Sequence, residues 1–332
     1  MTSPLVTVVV STYNRPKILK SALESVIYQV FDSWQVLVIG DNCSIETGQM
    51  IEDLNHPKIK YHNNTLRYGE QSGSNNIGMA LAKTKYIALL NHDDIWTPDH
   101  LERAITYLES NQDEFYIANS MFSKRVDKNG FPKFNPPFDQ RHLKTAFSSS
   151  HLYVEPSSSW VFNKNVIEKV GLWKHGSEIS RTPIVNYILR CWRERVNIHF
   201  AQQVTCIACA FHHVAISKHA YAYNGQELEK LVAYFKAKKD SDQVYIPSKY
   251  LDLHTNNKHK IRRSNKLNQW AVNILANDIP ALLYYNTGID LFEKLTRKRK
   301  GFKLSKNRTG ETKQITLPKF SEALQLAKKK LE

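Results

Sequence analysis

The densest chemistry in the sequence is the run Leu90-Asn91-His92-Asp93-Asp94-Ile95-Trp96-Thr97. Two adjacent carboxylates, Asp93 and Asp94, follow the apolar stretch Tyr86 to Leu90. Carboxylates at the end of a buried strand are costly to desolvate unless something offsets their charge. A divalent cation does so. Mg2+ or Mn2+ takes hard oxygen ligands and often needs only one or two carboxylates beside substrate phosphates. The alternative is a helix N-cap, with Asp94 or Thr97 opening the segment that follows. A cap employs one of these residues and leaves the second carboxylate unexplained, so on residue chemistry alone the two readings stand level. Asp41 ends a second apolar run, Trp34 to Ile39, where it can accept from a nucleobase N–H or close an Asx turn. Ser11-Thr12-Tyr13-Asn14-Arg15 ends a third, Leu5 to Val10. Tyr13 offers a ring for stacking on a base, and Arg15 a guanidinium for phosphate. Neither G-x-G-x-x-G nor G-x-x-x-x-G-K-[ST] stands here, so the dinucleotide fingerprint and the P-loop are excluded.

These groups need elements to hold them. Leu5 to Val10, Trp34 to Ile39, Lys58 to His62 and Tyr86 to Leu90 have the length and apolar content of strands. Lys17 to Tyr28, Glu46 to Leu54, Ser74 to Ala82 and Asp99 to Ser110 have helical spacing. Strand and helix thus alternate four times with short connections, the pattern of a mostly parallel sheet with helices on both faces. Such sheets bind ligands at the carboxyl ends of their strands, where the three polar groups fall. Further on, strands are expected at Phe115 to Met121, Ser158 to Asn163 and Val204 to Phe211. Helices are expected at Val166 to Val170 and Ile184 to Arg195. Phe131 to Phe138, with three prolines, should be loop.

The chain has 332 residues, 42% of them apolar, enough for one large α/β domain and a smaller appendage. No run of about eighteen apolar residues spans a bilayer, and the first residues lack the basic start of a signal peptide. Cys43, Cys191, Cys206 and Cys209 read as buried thiols, which fits a reducing cytoplasm. Charge divides unevenly. Residues 1–224 hold 23 Lys and Arg against 20 Asp and Glu, a net of +3, and residues 225–332 hold 23 against 11, a net of +12. The expected organisation is therefore a domain over 1–224, with halves at about 1–112 and 113–224, and a basic helical module over 225–332. Helices are expected there at Glu227 to Lys236, Asn265 to Ala276 and Phe320 to Leu331. The basic cluster of Lys258, Lys260, Arg262, Arg263 and Arg297 to Lys300 is either a solvated surface or a patch drawn to an anionic bilayer. A nucleic-acid partner is not expected, because no recognised nucleic-acid motif accompanies the charge.

Taken in order, these segments resemble the family 2 glycosyltransferases. Val6 to Arg15 is similar to that family's opening strand with its T/S-Y-N step, and Trp34 to Ser44 to its second strand ending D-D-x-S. Asn75-Asn76-Ile77-Gly78, with Lys85 to Leu90, resembles the R-N-x-G helix and the strand leading to D-x-D. Pro156 to Phe162 and Val170-Gly171-Leu172-Trp173 resemble the acceptor half. The resemblance implies a GT-A fold, a nucleotide-sugar donor, with a UDP-sugar foremost, and a glycan or lipid-linked hydroxyl acceptor. It implies an inverting, cation-dependent transfer in polysaccharide or glycoconjugate synthesis, with the protein cytoplasmic or peripheral on the inner face of the membrane. Ser11, Tyr13, Arg15, Asp41, Asn76 and His92 would surround the donor nucleotide. Asp93, with Asp94, would hold Mn2+ or Mg2+, and His212 and His213 would lie on a loop at the diphosphate. Four positions depart from the pattern: Gly40 replaces the first Asp of D-D, Asn75 the Arg of R-N-x-G, Asn91 the first of D-x-D, and Asn186 the expected base. Asn cannot take the acceptor's proton, which leaves Glu178 as the nearest carboxylate or the chain as a sugar-nucleotide or glycan-binding module without catalysis.

Overall fold

Six of the seven residues of β1 (Val6–Thr12) are β-branched, and all seven are buried. A strand covered on both faces needs such a run. The computed structural model describes residues 3–134, 156–179, 182–209, 225–239 and 320–331, with Leu283 and Thr287 as isolated helical positions. β2 (Trp34–Gly40), β3 (Ile59–Asn63) and β4 (Tyr86–Asn91) join β1 in parallel, in the order β3-β2-β1-β4. The register sets Ser11 opposite both Ile39 and Asn91, and Thr12 opposite Gly40. The three polar groups therefore leave the sheet at one edge. The crossovers are α1 (Pro16–Ile27), α2 (Ile45–Leu54) and α3 (Gln71–Leu81). α3 begins three residues before its apolar spacing does, because the Glu70 carboxylate caps it, accepting from the Ser72 N–H at 3.1 Å.

The second half of the sheet is mixed. β8 (Trp160–Asn163) runs antiparallel to β4, and β6 (Phe115–Val126) antiparallel to β8. β9 (Ile198–Cys209) lies parallel to β6, and β5 (Asp94–Trp96) closes the far edge against β9. A 3-10 turn at Ser157–Ser159 leads into β8. Where a loop is expected, β7 (Pro132–Phe134) pairs with β6. Proline at the first residue of an edge strand removes no ladder bond.

Alternation along β1 divides the core. Val6, Val8 and Val10 meet Leu19, Leu23 and Val26 of α1 and Leu101, Ile105 and Leu108 of α4 (His100–Ser110). Val9 points the other way, among Met79, Leu89, Trp160, Tyr187 and Ile188. α5 (Asn165–Val170) and α6 (Pro183–Arg193) cover that face. α3 lies so close that a Cβ on Gly78 would come within 2.3 Å of Val9 Cγ1.

Two helices of the expected basic helical module over 225–332 are among the described residues, and both pack on the N-terminal domain. α7 (Gln226–Lys236) buries Leu228, Leu231, Val232 and Phe235 against Ile18, Ile95 and Phe134. α8 (Phe320–Leu331) sets Ala327 against Leu37, Ile39 and Ile77. Both carry an apolar stripe that must be covered, and the N-terminal domain covers it. The expected helix Asn265 to Ala276 and the basic cluster from Lys258 to Lys300 lie outside the described residues. No helix among the described residues is long and apolar enough to cross a membrane.

One buried contact gives a pH prediction. His100 stacks on Trp96 at 4.2 Å, and its Nδ1 lies 2.8 Å from the Thr205 hydroxyl. Burial pushes its pKa down to about 3. The folded ring stays neutral while the unfolded one takes a proton below about pH 6.5, so stability held at neutral pH is lost as pH falls. From this group alone, urea unfolding should show a loss of about 2 kcal/mol between pH 7 and pH 5. His100→Phe should flatten that slope; an unchanged slope rejects the assignment.

Candidate donor-binding site

The chain leaves β1 through a strained turn. Asn14 and Arg15 both have positive φ, 53° and 60°, a conformation that Asn tolerates better than most residues. The turn is held from outside. Asn14 Oδ1 accepts from the Ser44 N–H at 2.8 Å, and the Asn14 N–H donates to Cys43 Sγ at 3.3 Å. In this geometry Arg15 precedes the proline that starts α1, and its guanidinium lies 3.6 Å from Asp93, with the two side chains 12% and 20% exposed. The loop after β1 and the loop after β4 thus meet through opposite charges. The His92 ring joins them as well: the Tyr13 N–H donates to His92 Nδ1 at 3.4 Å, and the Thr12 hydroxyl lies 3.1 Å from the same nitrogen. Burial lowers the pKa of His92, which suits a neutral ring that accepts at Nδ1.

Asp93 and Asp94 do different things. Asp94 opens β5, and successive strand residues point to opposite sides. Its buried carboxylate accepts from Asn91 Nδ2 at 2.9 Å and the Ser158 hydroxyl at 2.5 Å on one oxygen, and from the Cys209 N–H at 3.2 Å on the other. Burial, with Asp93 beside it, pushes its pKa up to about 7. Asp94 therefore ties β4, β9 and the turn before β8 together from inside, at the position where the sequence sets it beside Asp93 as a metal ligand. Asn91, at the first position of the motif, belongs to the same internal network. Among the described residues no three His, Cys, Asp or Glu side chains gather into a metal cage. One partly exposed carboxylate, Asp93, fits a cation that draws its remaining ligands from water and a bound diphosphate.

Asp41 is buried, and burial raises its pKa against the pull of its hydrogen bonds. Its two oxygens accept from the Tyr68 N–H at 2.6 Å and the Gly69 N–H at 2.9 Å. The carboxylate thus shapes the loop after β3 instead of closing an Asx turn on itself. Gly40, the departure before it, has a steric reason. A Cβ there would lie 2.6 Å from Asn63 Oδ1 and 2.9 Å from the Tyr61 hydroxyl. Asn63 is fixed in turn, clasping the Cys43 N–H and C=O at 2.8 Å each. The residue that sequence reasoning missed is Arg67. Its guanidinium lies 3.7 Å above the Tyr13 ring, so the platform offered by Tyr13 is already covered by a cation. Leu66-Arg67-Tyr68-Gly69 was a signal in plain view, a basic residue in a loop that leaves a parallel strand at the same edge as Asp41.

Ser11 is buried in β1. Asn76 is buried too, and its amide exchanges two hydrogen bonds with the Trp173 backbone, at 2.8 and 2.9 Å. It fastens the acceptor-side segment to α3, at the position where the family resemblance implies a contact with the nucleotide. Asn186 accepts from Arg190 Nε at 3.1 Å, while the Arg190 guanidinium donates to the carbonyls of Val170 and Leu172 at 2.6 and 2.7 Å. Asn186 therefore aims a clamp. Glu178 is exposed in a turn and accepts from the His175 N–H at 3.1 Å. That turn touches the donor loop, because His175 Nε2 lies 3.0 Å from the Tyr68 carbonyl and 3.4 Å from Glu70 Oε1. His212 and His213 lie outside the described residues.

Comparison with known proteins identifies the family and the fold. Residues 7–171 match the family model described as glycosyl transferase family 2. An uncharacterized glycosyltransferase of Methanocaldococcus jannaschii is 29% identical over 198 residues, covering 58% of this chain and 66% of that one. An Escherichia coli protein named UDP-Glc:alpha-D-GlcNAc-diphosphoundecaprenol beta-1,3-glucosyltransferase is 29% identical over 115 residues, covering 35% and 45%. The chain thus spans less than two thirds of the length of either relative. Residues 1–349 of TarS of S. aureus, crystallised with UDP-GlcNAc, superpose with a TM-score of 0.50 at 15% identity, over 71% of this chain and 69% of that one. That likeness shows the shared GT-A fold. Through the domain that contains β1, β4 and the loops around Asp41 and Asp93, the chain belongs to glycosyl transferase family 2.

Proposed function

We propose that the protein moves a glycosyl group from a nucleoside-diphosphate sugar, a UDP-sugar foremost, to a hydroxyl of a glycan or lipid-linked acceptor, with inversion. The observation that carries this reading is the meeting of Arg15 and Asp93 at 3.6 Å where β1 and β4 end, with Tyr13, Arg67 and Asp41 beside them. A diphosphate needs positive charge, which Arg15 and Arg67 supply, and the Arg67 guanidinium stacked on Tyr13 gives a base a planar group to stack on. Asp93 would hold Mg2+ or Mn2+, which when bound offsets the charge growing on the leaving diphosphate. Arg15 stands ready to exchange its carboxylate partner for phosphate oxygens. The acceptor oxygen bonds to the anomeric carbon as the bond to the diphosphate oxygen breaks, and the hydroxyl proton passes to a carboxylate, for which Glu178 is our assignment. A lipid-linked acceptor is supported by the name of the Escherichia coli relative.

The test is calorimetric titration with UDP and GDP, with and without Mn2+, followed by a donor panel. Cation-dependent binding of a nucleoside diphosphate is expected, and its absence across the panel rejects the reading. Arg15 supplies a sharper check. Arg15→Gly relieves a left-handed residue, worth about 1 kcal/mol, so thermal stability should hold or rise. UDP affinity should fall roughly tenfold or more as a charged hydrogen-bond donor is lost. Unchanged affinity would remove Arg15 from the site. A second reading, a binding module without turnover, is favoured by one observation: Asn186, at the expected base position, is occupied by Arg190. Donor binding with no transfer to any acceptor would support it.

A further inference from the structure

Tyr68 joins three parts of the molecule that are distant in sequence. Its N–H donates to Asp41, its carbonyl lies 3.0 Å from His175 Nε2, and its ring is buried. The ring lies against α3 at Gly73, where an added Cβ would stand 2.1 Å from Tyr68 Cγ. The same apolar cluster holds Leu37, Ile39 and Ile77 from the sheet and α3, and Ala327 from α8, with Phe320, Ala323 and Leu324 packed against it. The Lys60 ammonium on β3 also donates to the Leu331 carbonyl at 2.6 Å. Helix α8, some 250 residues along the chain, therefore helps to seat a side chain whose own backbone binds Asp41.

We infer that α8 is a positioning element for the donor site, acting through Tyr68. The inference rests on the donor site proposed above. With its ring seated between α3 and the α8 cluster, Tyr68 holds its N–H toward Asp41 and fixes the neighbouring Arg67 over the Tyr13 ring. Without that seat the loop gains freedom, and both the carboxylate and the cation lose their set directions. Binding then has to order them first, and affinity falls by that cost. The C-terminal stretch of this chain thus contributes to donor affinity without touching the donor.

Two substitutions in the full-length chain approach Tyr68 from opposite sides. Ala327→Glu places a carboxylate in the buried seat and should release α8, read as faster tryptic cleavage at Lys328 to Lys330. Gly73→Ala pushes the ring from the α3 side. Alanine is the better helix former there, so lower affinity in that variant cannot be assigned to a weaker helix. Both should raise the Kd for UDP about tenfold and speed hydrogen exchange at the Tyr68 and Gly69 amides. Leu326→Ala, on the exposed side of α8, should leave the Kd within twofold. If Ala327→Glu does not fold, Gly73→Ala carries the test alone. Release of α8, or displacement of the ring, with an unchanged Kd overturns the inference. Failure of the wild-type chain to bind any nucleoside diphosphate overturns the donor-site reading instead, and the inference falls with it.

Discussion

Asp94→Ala should cost several kcal/mol of stability, and its neighbour Asp93→Ala almost none. Removing the Asp94 carboxylate leaves Asn91 Nδ2, the Ser158 hydroxyl and the Cys209 N–H without their acceptor in a buried place. Each orphaned donor costs about 1–3 kcal/mol, and a domain of this kind has roughly 5–15 kcal/mol in all. Asp93 is partly exposed, and its partner Arg15 can turn to water, so Asp93→Ala should stay within about 0.5 kcal/mol of the parent. The order reverses in binding. Asp93→Ala should abolish the cation-dependent part of UDP affinity. Urea unfolding and calorimetry on the same two proteins decide the matter. A stable Asp94→Ala, or full Mn2+-dependent binding in Asp93→Ala, breaks the division of labour between these carboxylates.

Glu178→Gln should lower turnover by about 10²–10⁴-fold while leaving UDP affinity nearly intact. The glutamine keeps the shape of the side chain and loses only the ability to take a proton. Its turn reaches the donor loop through His175, whose N–H donates to Glu178 and whose Nε2 lies 3.0 Å from the Tyr68 carbonyl. Asn186→Asp, which would restore a carboxylate at the position the family resemblance marks for the base, should give no gain. The new carboxylate would pair with Arg190, whose Nε already lies 3.1 Å from Asn186 Oδ1. That charge would hold its pKa low and make it a poor base. Single-turnover rates at saturating donor separate these outcomes. Undiminished transfer by Glu178→Gln removes it from the reaction, and a large gain from Asn186→Asp would return the base to α6.

The sequence by itself determined the parallel half of the sheet and the edge on which the site lies. Runs such as Val6 to Val10 and Tyr86 to Leu90 are long enough in apolar residues to be covered on both faces, and helical spacing between them leaves little choice but a right-handed crossover. Ser11, Asp41 and Asp93 follow from that, because each is the polar step where a buried strand ends. Tertiary structure decided which of these groups face outward. Asp93 and Asp94 are one residue apart and chemically identical. Only the pairing of Asp94 with Ala208 on a strand 114 positions away turns one carboxylate inward and leaves the other at the surface. Asn76, Asn186 and Gly40 are of the same kind. Their roles are set by Trp173, Arg190 and Asn63, partners or obstacles that no local pattern can name. The C-terminal helices show the limit most clearly: their amphipathic spacing says that one face must be covered, and only the folded chain says by what.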